Sequence, residues 1–143
     1  MVKLGDVCEN LESMRMPVTK SDRKQGIYPY YGASGIVDYV DDYIFDGDYL
    51  LISEDRANLL ARSTPIAFSI SGITWVNNHA HVLKFTNKVS QNYVEYIINS
   101  MDISLYGTGS AQPKLNQKSL NSIPLPFPPL DIKKQIVEKL EKE

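Results

Sequence analysis

A chain of 143 residues, 43% hydrophobic, 22% charged and 10% aromatic, amounts to one domain at ~150 residues per domain. That composition excludes a disordered tail, a collagen-like repeat and a disulfide-rich miniprotein. The single cysteine, Cys8, has no partner within the chain, which suits a reducing compartment. The net charge of −2, taken whole, argues against a nucleic-acid partner.

Divided along the chain, the charge says more. Residues 36–55 hold seven acids (Asp38, Asp41, Asp42, Asp46, Asp48, Glu54, Asp55) and no base. The remainder carries 15 bases against 10 acids, and from Arg56 to Leu130 six bases stand against two acids. Acidity is thus confined to one segment, and a basic face elsewhere is permitted. The N-terminus carries Lys3, Asp6 and Glu9 without a long apolar run, so no signal peptide is expected. The uncharged run Ser63–Leu83 has the length of a membrane span, but its Pro65, Gly72, Asn77, Asn78 and His79 make it strands and turns. A cytoplasmic domain with no membrane association is expected.

In chain order, Met1–Leu11 is read as a first strand or helical turn, and Pro17–Gly26, with Lys20, Arg23 and Lys24, as a polar stretch. Tyr28–Ile36 is punctuated by Pro29, Gly32 and Gly35 and is expected to be a structured loop. Val37–Asp48 alternates apolar with acidic residues towards an Asp46-Gly47-Asp48 turn signal, the pattern of a solvated hairpin. Tyr49–Ser53 is apolar enough for a strand buried on both faces. A polar stretch with Arg56, Asn58 and Arg62 follows. Pro65–Ile70 and Ile73–Asn77 are expected to pair as a hairpin about Ser71-Gly72, with a further strand over His81–Phe85.

Three helices close the chain. Ser90 is read as the cap of a helix running to Met101, in which Tyr93, Ile97, Ile98 and Met101 recur at helical spacing. Asn116 caps a short helix through Leu120. Beyond the proline-rich Ile123–Pro129, Asp131 is read as the cap of a helix with Ile132, Ile136, Val137 and Leu140 on one face, still in pattern at Glu143. The expected class is α+β, a compact domain of many short mixed strands with a few helices.

Enzyme signatures are missing from the sequence. No phosphate-binding Gly-x4-Gly-Lys-Ser/Thr and no Gly-x-Ser-x-Gly elbow occur, and Gly107–Gln112 departs from the dinucleotide pattern. Cys8 is read as structural. His79 and His81 would share one face of a strand, but two imidazoles make half a zinc site; no metal and no cofactor are expected. The acidic cluster lacks the glycine and terminal glutamate of a calcium loop. Trp75 and Val82 are assigned to a core, and Asn77, Asn78 and His79 to a strand junction where they satisfy buried backbone.

Five segments stand in a telling order: Tyr28-Pro-Tyr-Tyr-Gly-Ala-Ser-Gly-Ile36, Trp75-Val-Asn-Asn-His-Ala-His-Val82, Gly109-Ser-Ala-Gln-Pro-Lys-Leu-Asn116, Ile123-Pro-Leu-Pro-Phe-Pro-Pro-Leu130 and Lys133-Lys-Gln-Ile-Val137. Together they resemble the target recognition domain of type I restriction–modification DNA specificity subunits, over nearly the whole chain. The resemblance implies a non-catalytic domain that reads one half of a bipartite duplex-DNA site. Partner methyltransferase and restriction (translocase) subunits would supply the chemistry. Residues 1–129 would form the recognition domain and 130–143 the start of a spacer helix. The sequence departs from the family's Glu-Asp-Gly turn, because Arg56 follows Glu54-Asp55.

On this reading, cations and amides set register on phosphates while Arg, Asn and Gln read base edges. Ser110, Gln112, Lys114 and Asn116 supply both kinds of group, with Lys114 on a phosphate and Gln112 on an adenine. Arg56 and Arg62 suit guanine, with Asn58 beside them, although a surface ion pair of Arg56 with Glu54 or Asp55 explains the same letters. Lys20, Arg23 and Lys24 are phosphate contacts or a solvated loop, and Tyr31 and Ser34 either lie against the DNA backbone or belong to the packing. Ile132, Ile136 and Leu140 suit pairing with another helix, including a homodimer. Two rival readings are a metal-dependent hydrolase using His79 and His81 with Asp55, and an interaction module acting through the last helix alone.

Overall fold

The computed structural model describes residues 1–54, 65–77, 79–101 and 116–141. Its elements are β1 (Val2–Lys3), β2 (Glu9–Asn10), β3 (Gln25–Tyr31), β4 (Ile36–Val40), β5 (Phe45–Asp46), β6 (Tyr49–Ser53), β7 (Ala67–Ile70), β8 (Ile73–Val76) and β9 (Ala80–Lys84), then α1 (Lys88–Ser100), α2 (Gln117–Asn121), β10 (Pro124–Leu125) and α3 (Leu130–Glu141). Short 3-10 turns lie at Leu4–Asp6, Glu12–Met14 and Lys20–Asp22. The class is α+β, with many short strands and few helices, as the sequence implies.

The apolar run Tyr49–Ser53 organises the core. All five residues of β6 are buried, because the strand has a packed layer on each face. It sits between β7 and β9 in an antiparallel sheet of order β2-β9-β6-β7. Leu50 and Ile52 point with Leu83 towards the helices, where they meet Tyr93, Val94 and Ile98 of α1, Leu120 of α2 and Val137 of α3. Leu51 and Tyr49 point with Val82 the other way, against Phe45 and Val76 of a second sheet. That sheet has the order β4-β3-β8-β5, with β3 and β8 parallel. Alternation of side chains across a strand thus divides the apolar residues between two cores.

Two expected hairpins are not formed. β7 pairs with β6, and β8 with β3 and β5, so the chain changes sheet at Ser71-Gly72. It changes sheet again at Gly47, between β5 and β6, and β4 and β5 stand apart with β3 and β8 between them. The two crossings lie together: the Gly47 N–H donates to the Gly72 carbonyl at 3.0 Å. Both glycines adopt positive φ, +144° and +84°, a conformation that costs side-chain-bearing residues energy. The turn residues therefore mark turns, as read, but turns between layers. Tyr28–Tyr31, expected in a loop, forms the end of β3. Pro29 lies there opposite Tyr39, between two register shifts of the β3–β4 pair, the irregular kind of position that prolines occupy in sheets, and Gly32–Gly35 makes the turn, closed by Gly32 N–H to Gly35 O at 2.8 Å.

Helix α1 begins three residues earlier than expected, with Asn87 and not Ser90 as its cap: Asn87 Oδ1 accepts from Ser90 N–H at 2.8 Å. Asn116 caps α2 as the sequence implies, accepting from Ser119 N–H. Helix α3 starts at Leu130, which puts Asp131 in its first turn, and the Pro129 carbonyl accepts from Ile132 and Lys133. It packs on the protein's own core through Val137 and Ile136, leaving Ile132 40% exposed. Lys133 is only 4% exposed; its Nζ donates to Ser90 Oγ at 2.7 Å and lies 3.5 Å from the Phe127 ring centroid. Burial pushes this ammonium below the usual lysine range.

Candidate nucleic-acid interface

The polar stretch that carries Lys20, Arg23 and Lys24 lies over the outer face of the second sheet. Tyr30, Asp38 and Trp75 are register partners on that face, and each ties residues 15–24 down. The Trp75 indole donates to the Met16 carbonyl at 2.6 Å. The Tyr30 hydroxyl accepts from Val18 N–H at 3.0 Å and lies 3.3 Å from its carbonyl oxygen. Arg23 donates through Nε to Val18 O at 3.0 Å, pairs with Asp38 at 3.3 Å and stacks 4.4 Å from the Tyr30 ring centroid. Trp75, expected in a core, is instead only partly buried and acts as an anchor; an indole's polar edge and apolar body suit that position. The Asp38 carboxyl is held below the usual range, chiefly by the Tyr39 N–H and then by Arg23.

A second polar group joins the N-terminal segment to the first sheet. His81, 1% exposed, has Nδ1 hydrogen-bonded to Glu12 and Nε2 3.9 Å from Glu54. Arg15 completes the group, with Nη1 3.4 Å from the Glu54 carboxylate and 2.8 Å from Ala80 O. Buried polar side chains need partners, and this group explains how a histidine fits the otherwise apolar β9. It also fixes Glu54, the residue at which the chain leaves β6. The sequence reading missed it because positions 12, 15, 54 and 81 share no motif; the one available signal was an imidazole within an apolar strand.

The candidate residues fall in different places. Lys20, Lys24 and Ser34 are exposed, whereas the Arg23 guanidinium is held by the three partners above. Tyr31 faces the space between the sheets beside Phe68, with ring centroids 6.0 Å apart, and burial, with a smaller effect of Tyr39, raises its phenol pKa. Asn116 is exposed at the start of α2, where its side chain caps the helix. Arg56, Asn58, Arg62, Ser110, Gln112 and Lys114 lie outside the described residues, as do Asp55 and Asn78. His79 is exposed in a turn while His81 is buried, so the two do not form the paired face of a metal site. Among the described residues no group of three His, Cys, Asp or Glu is arranged to hold a metal ion. Cys8 is partly buried, its thiol donating to Leu4 O at 3.3 Å, and burial pushes its pKa up to about 12. None of the described helices is long and apolar enough to cross a membrane.

Two layered sheets with a helical layer on one side define the class of the molecule, an α+β domain of the kind found in solved type I restriction–modification S subunits. The S subunit from M. genitalium superposes with a TM-score of 0.72 at 17% identity, over 99% of this chain and 38% of that one. The HsdS subunit from Thermoanaerobacter tengcongensis does so with a TM-score of 0.64 at 18% identity, over 99% and 36%. At that identity the likeness speaks for the fold. Residues 1–142 match the family described as the type I restriction modification DNA specificity domain, and the chain belongs to that family. Among relatives, a putative type I restriction enzyme specificity subunit of Haemophilus influenzae is 34% identical over 138 residues, 96% of this chain and 35% of the relative. The specificity subunit of the EcoprrI type I restriction enzyme of Escherichia coli is 28% identical over 116 residues, 81% and 28% respectively. The chain thus spans about a third of the length of the proteins it resembles.

Proposed function

We propose that this chain recognises one half of a bipartite duplex-DNA target in the cytoplasm. On this reading it directs methyltransferase and restriction subunits to that site and catalyses neither reaction. The match of residues 1–142 to a DNA specificity domain family carries the reading. The charge distribution supports it. Of the acids in residues 36–55, Asp38 is paired with Arg23, Glu54 with Arg15, and Asp48 lies 3.7 Å from Lys88, while residues 56–130 keep a basic surplus. Lys20, Lys24 and Lys114 are the proposed phosphate contacts, with Ser34, Ser110 and Asn116 supporting them. Arg56, Asn58, Arg62 and Gln112 are the proposed base readers, and Tyr31 and Arg23 support the surface from beneath. We assign 1–129 to recognition and 130–143 to the beginning of a spacer helix. Its Ile132, together with the outer edges of Ile136 and Leu140, would pair with another helix, in a longer chain or in a second copy.

Selection from random duplex oligonucleotides, alone and with the methyltransferase subunit present, tests the reading. Enrichment of one short motif, with binding that weakens steeply as salt rises because phosphate contacts release counterions, is the expected result. No motif in either condition would refute it.

A further inference from the structure

Beside Arg23, the outer face of the second sheet opens into a cleft of about 190 Å³, floored by Tyr30, Trp75 and Val40 and rimmed by Asp22, Asp41 and Asp42. Lys24 also lines it, but three carboxylates face one uncommitted ammonium, since Arg23 is neutralised by Asp38. None of the three rim aspartates forms an ion pair among the described residues. Asp22 accepts from Thr19 Oγ1 at 2.7 Å and Asp42 from Tyr43 N–H at 2.8 Å, and each keeps lone pairs for a further donor. The cleft is smaller than the ~300–1,000 Å³ that encloses whole small-molecule ligands, so its scale is that of one side-chain headgroup. The half-buried Trp75 indole attracts a cation through its face, the Tyr30 ring being already stacked by Arg23, and the carboxylates of the rim favour a positive headgroup.

We propose that this cleft receives an arginine side chain from a protein partner, making its acidic rim a protein-docking point beside the lysines, Lys20 and Lys24, that are proposed to contact phosphate. Arginine suits it better than lysine, because a planar guanidinium both stacks on an aromatic ring and forks onto a carboxylate. The occupant is a positively charged protein surface that presents one such residue.

The chain has a single tryptophan, so the Trp75 indole N–H reports on the cleft in a nitrogen–proton correlation spectrum. Titration of the whole chain with the capped tripeptide Gly-Arg-Gly should move that resonance along a saturating curve, weakened by added salt. The capped Gly-Glu-Gly should leave it in place. In D41N/D42N the apparent Kd should rise by about fivefold or more, two exposed carboxylate contacts being lost. Asparagine at 42 retains the acceptor for Tyr43 N–H, so the fold should persist with an unchanged thermal midpoint. Should the double variant fail to fold, Asp41→Asn alone, with a rise of about twofold or more, replaces it. The proposal is overturned if the arginine peptide leaves the indole unmoved to its solubility limit, or if the variant binds it as the wild type does. Saturation of the same resonance by a short DNA duplex that also displaces the arginine peptide, without loss in D41N/D42N, would assign the cleft to nucleic acid and overturn it too.

Discussion

The side-chain amide of Asn99 takes both backbone groups of Ala67: Oδ1 accepts the Ala67 N–H at 2.9 Å, and Nδ2 donates to the Ala67 carbonyl at 2.9 Å. Ala67 begins β7, the edge strand of the first sheet, so the amide stands where another strand would pair. Glu95 and Gln91, one and two turns earlier on α1, hold Ser69 of the same strand, which makes a polar stripe at i, i+4 and i+8 the clamp between helix and sheet edge. An exposed edge invites pairing with another chain, and a side-chain amide blocks it. Asn99→Leu keeps the branching at Cγ, with somewhat greater volume, and removes both bonds to Ala67. Urea denaturation should show a loss of about 1–3 kcal/mol. An unchanged midpoint would mean that the clamp is redundant.

The contact of His81 with Glu12 makes a second prediction. Glu12→Gln retains a hydrogen-bonding group at the imidazole, whereas Glu12→Ala removes the Glu12 carboxylate from the buried Nδ1. The alanine variant should lose about 1–3 kcal/mol and the glutamine variant clearly less. Equal losses would show that packing, and not the hydrogen bond, holds the 3-10 turn at Glu12–Met14 on β9.

Asp38 predicts a pH dependence. Its carboxyl is held below the ordinary value by the Tyr39 N–H and Arg23, so the folded state binds this proton less readily than the unfolded chain. The contribution is therefore present above the ordinary aspartate pKa and disappears as pH falls through the depressed folded value. Asp38→Asn should be less stable than the wild type near neutrality, and the two thermal midpoints should converge in acid. Parallel curves down to strongly acidic pH would contradict the assignment.

Recognition of DNA separates phosphate contacts from base contacts. Lys114→Ala should weaken binding to all sequences alike and reduce the slope of log K against log salt by about 1. Arg56→Ala should instead relax preference at one base pair, by ~1–3 kcal/mol. Fluorescence-anisotropy titrations of matched and single-substituted duplexes at several salt concentrations distinguish the two. Uniform loss for Arg56→Ala would remove its reading role.

Much of the candidate surface was legible as residue types and little of it as geometry. The exposed Lys20 and Lys24 were visible as cations in a polar stretch. That Arg23 serves as a brace depends on Val18, Tyr30 and Asp38 arriving from three places in the chain, and no local pattern encodes that meeting.

Apolar patterning and a capping asparagine determined the strand at Tyr49–Ser53, a helix ending near Met101, the short helix after Asn116 and the α+β class, because burial on one or two faces, helical spacing and caps are properties of neighbouring residues. Tertiary structure alone decided that the chain changes sheet at Gly47 and Gly72, that Trp75 anchors a surface segment, and that His81 meets Glu12. A glycine permits a turn whether the strands beyond it pair with each other or with distant ones. That choice is made by which faces can be buried together, a property of the whole chain.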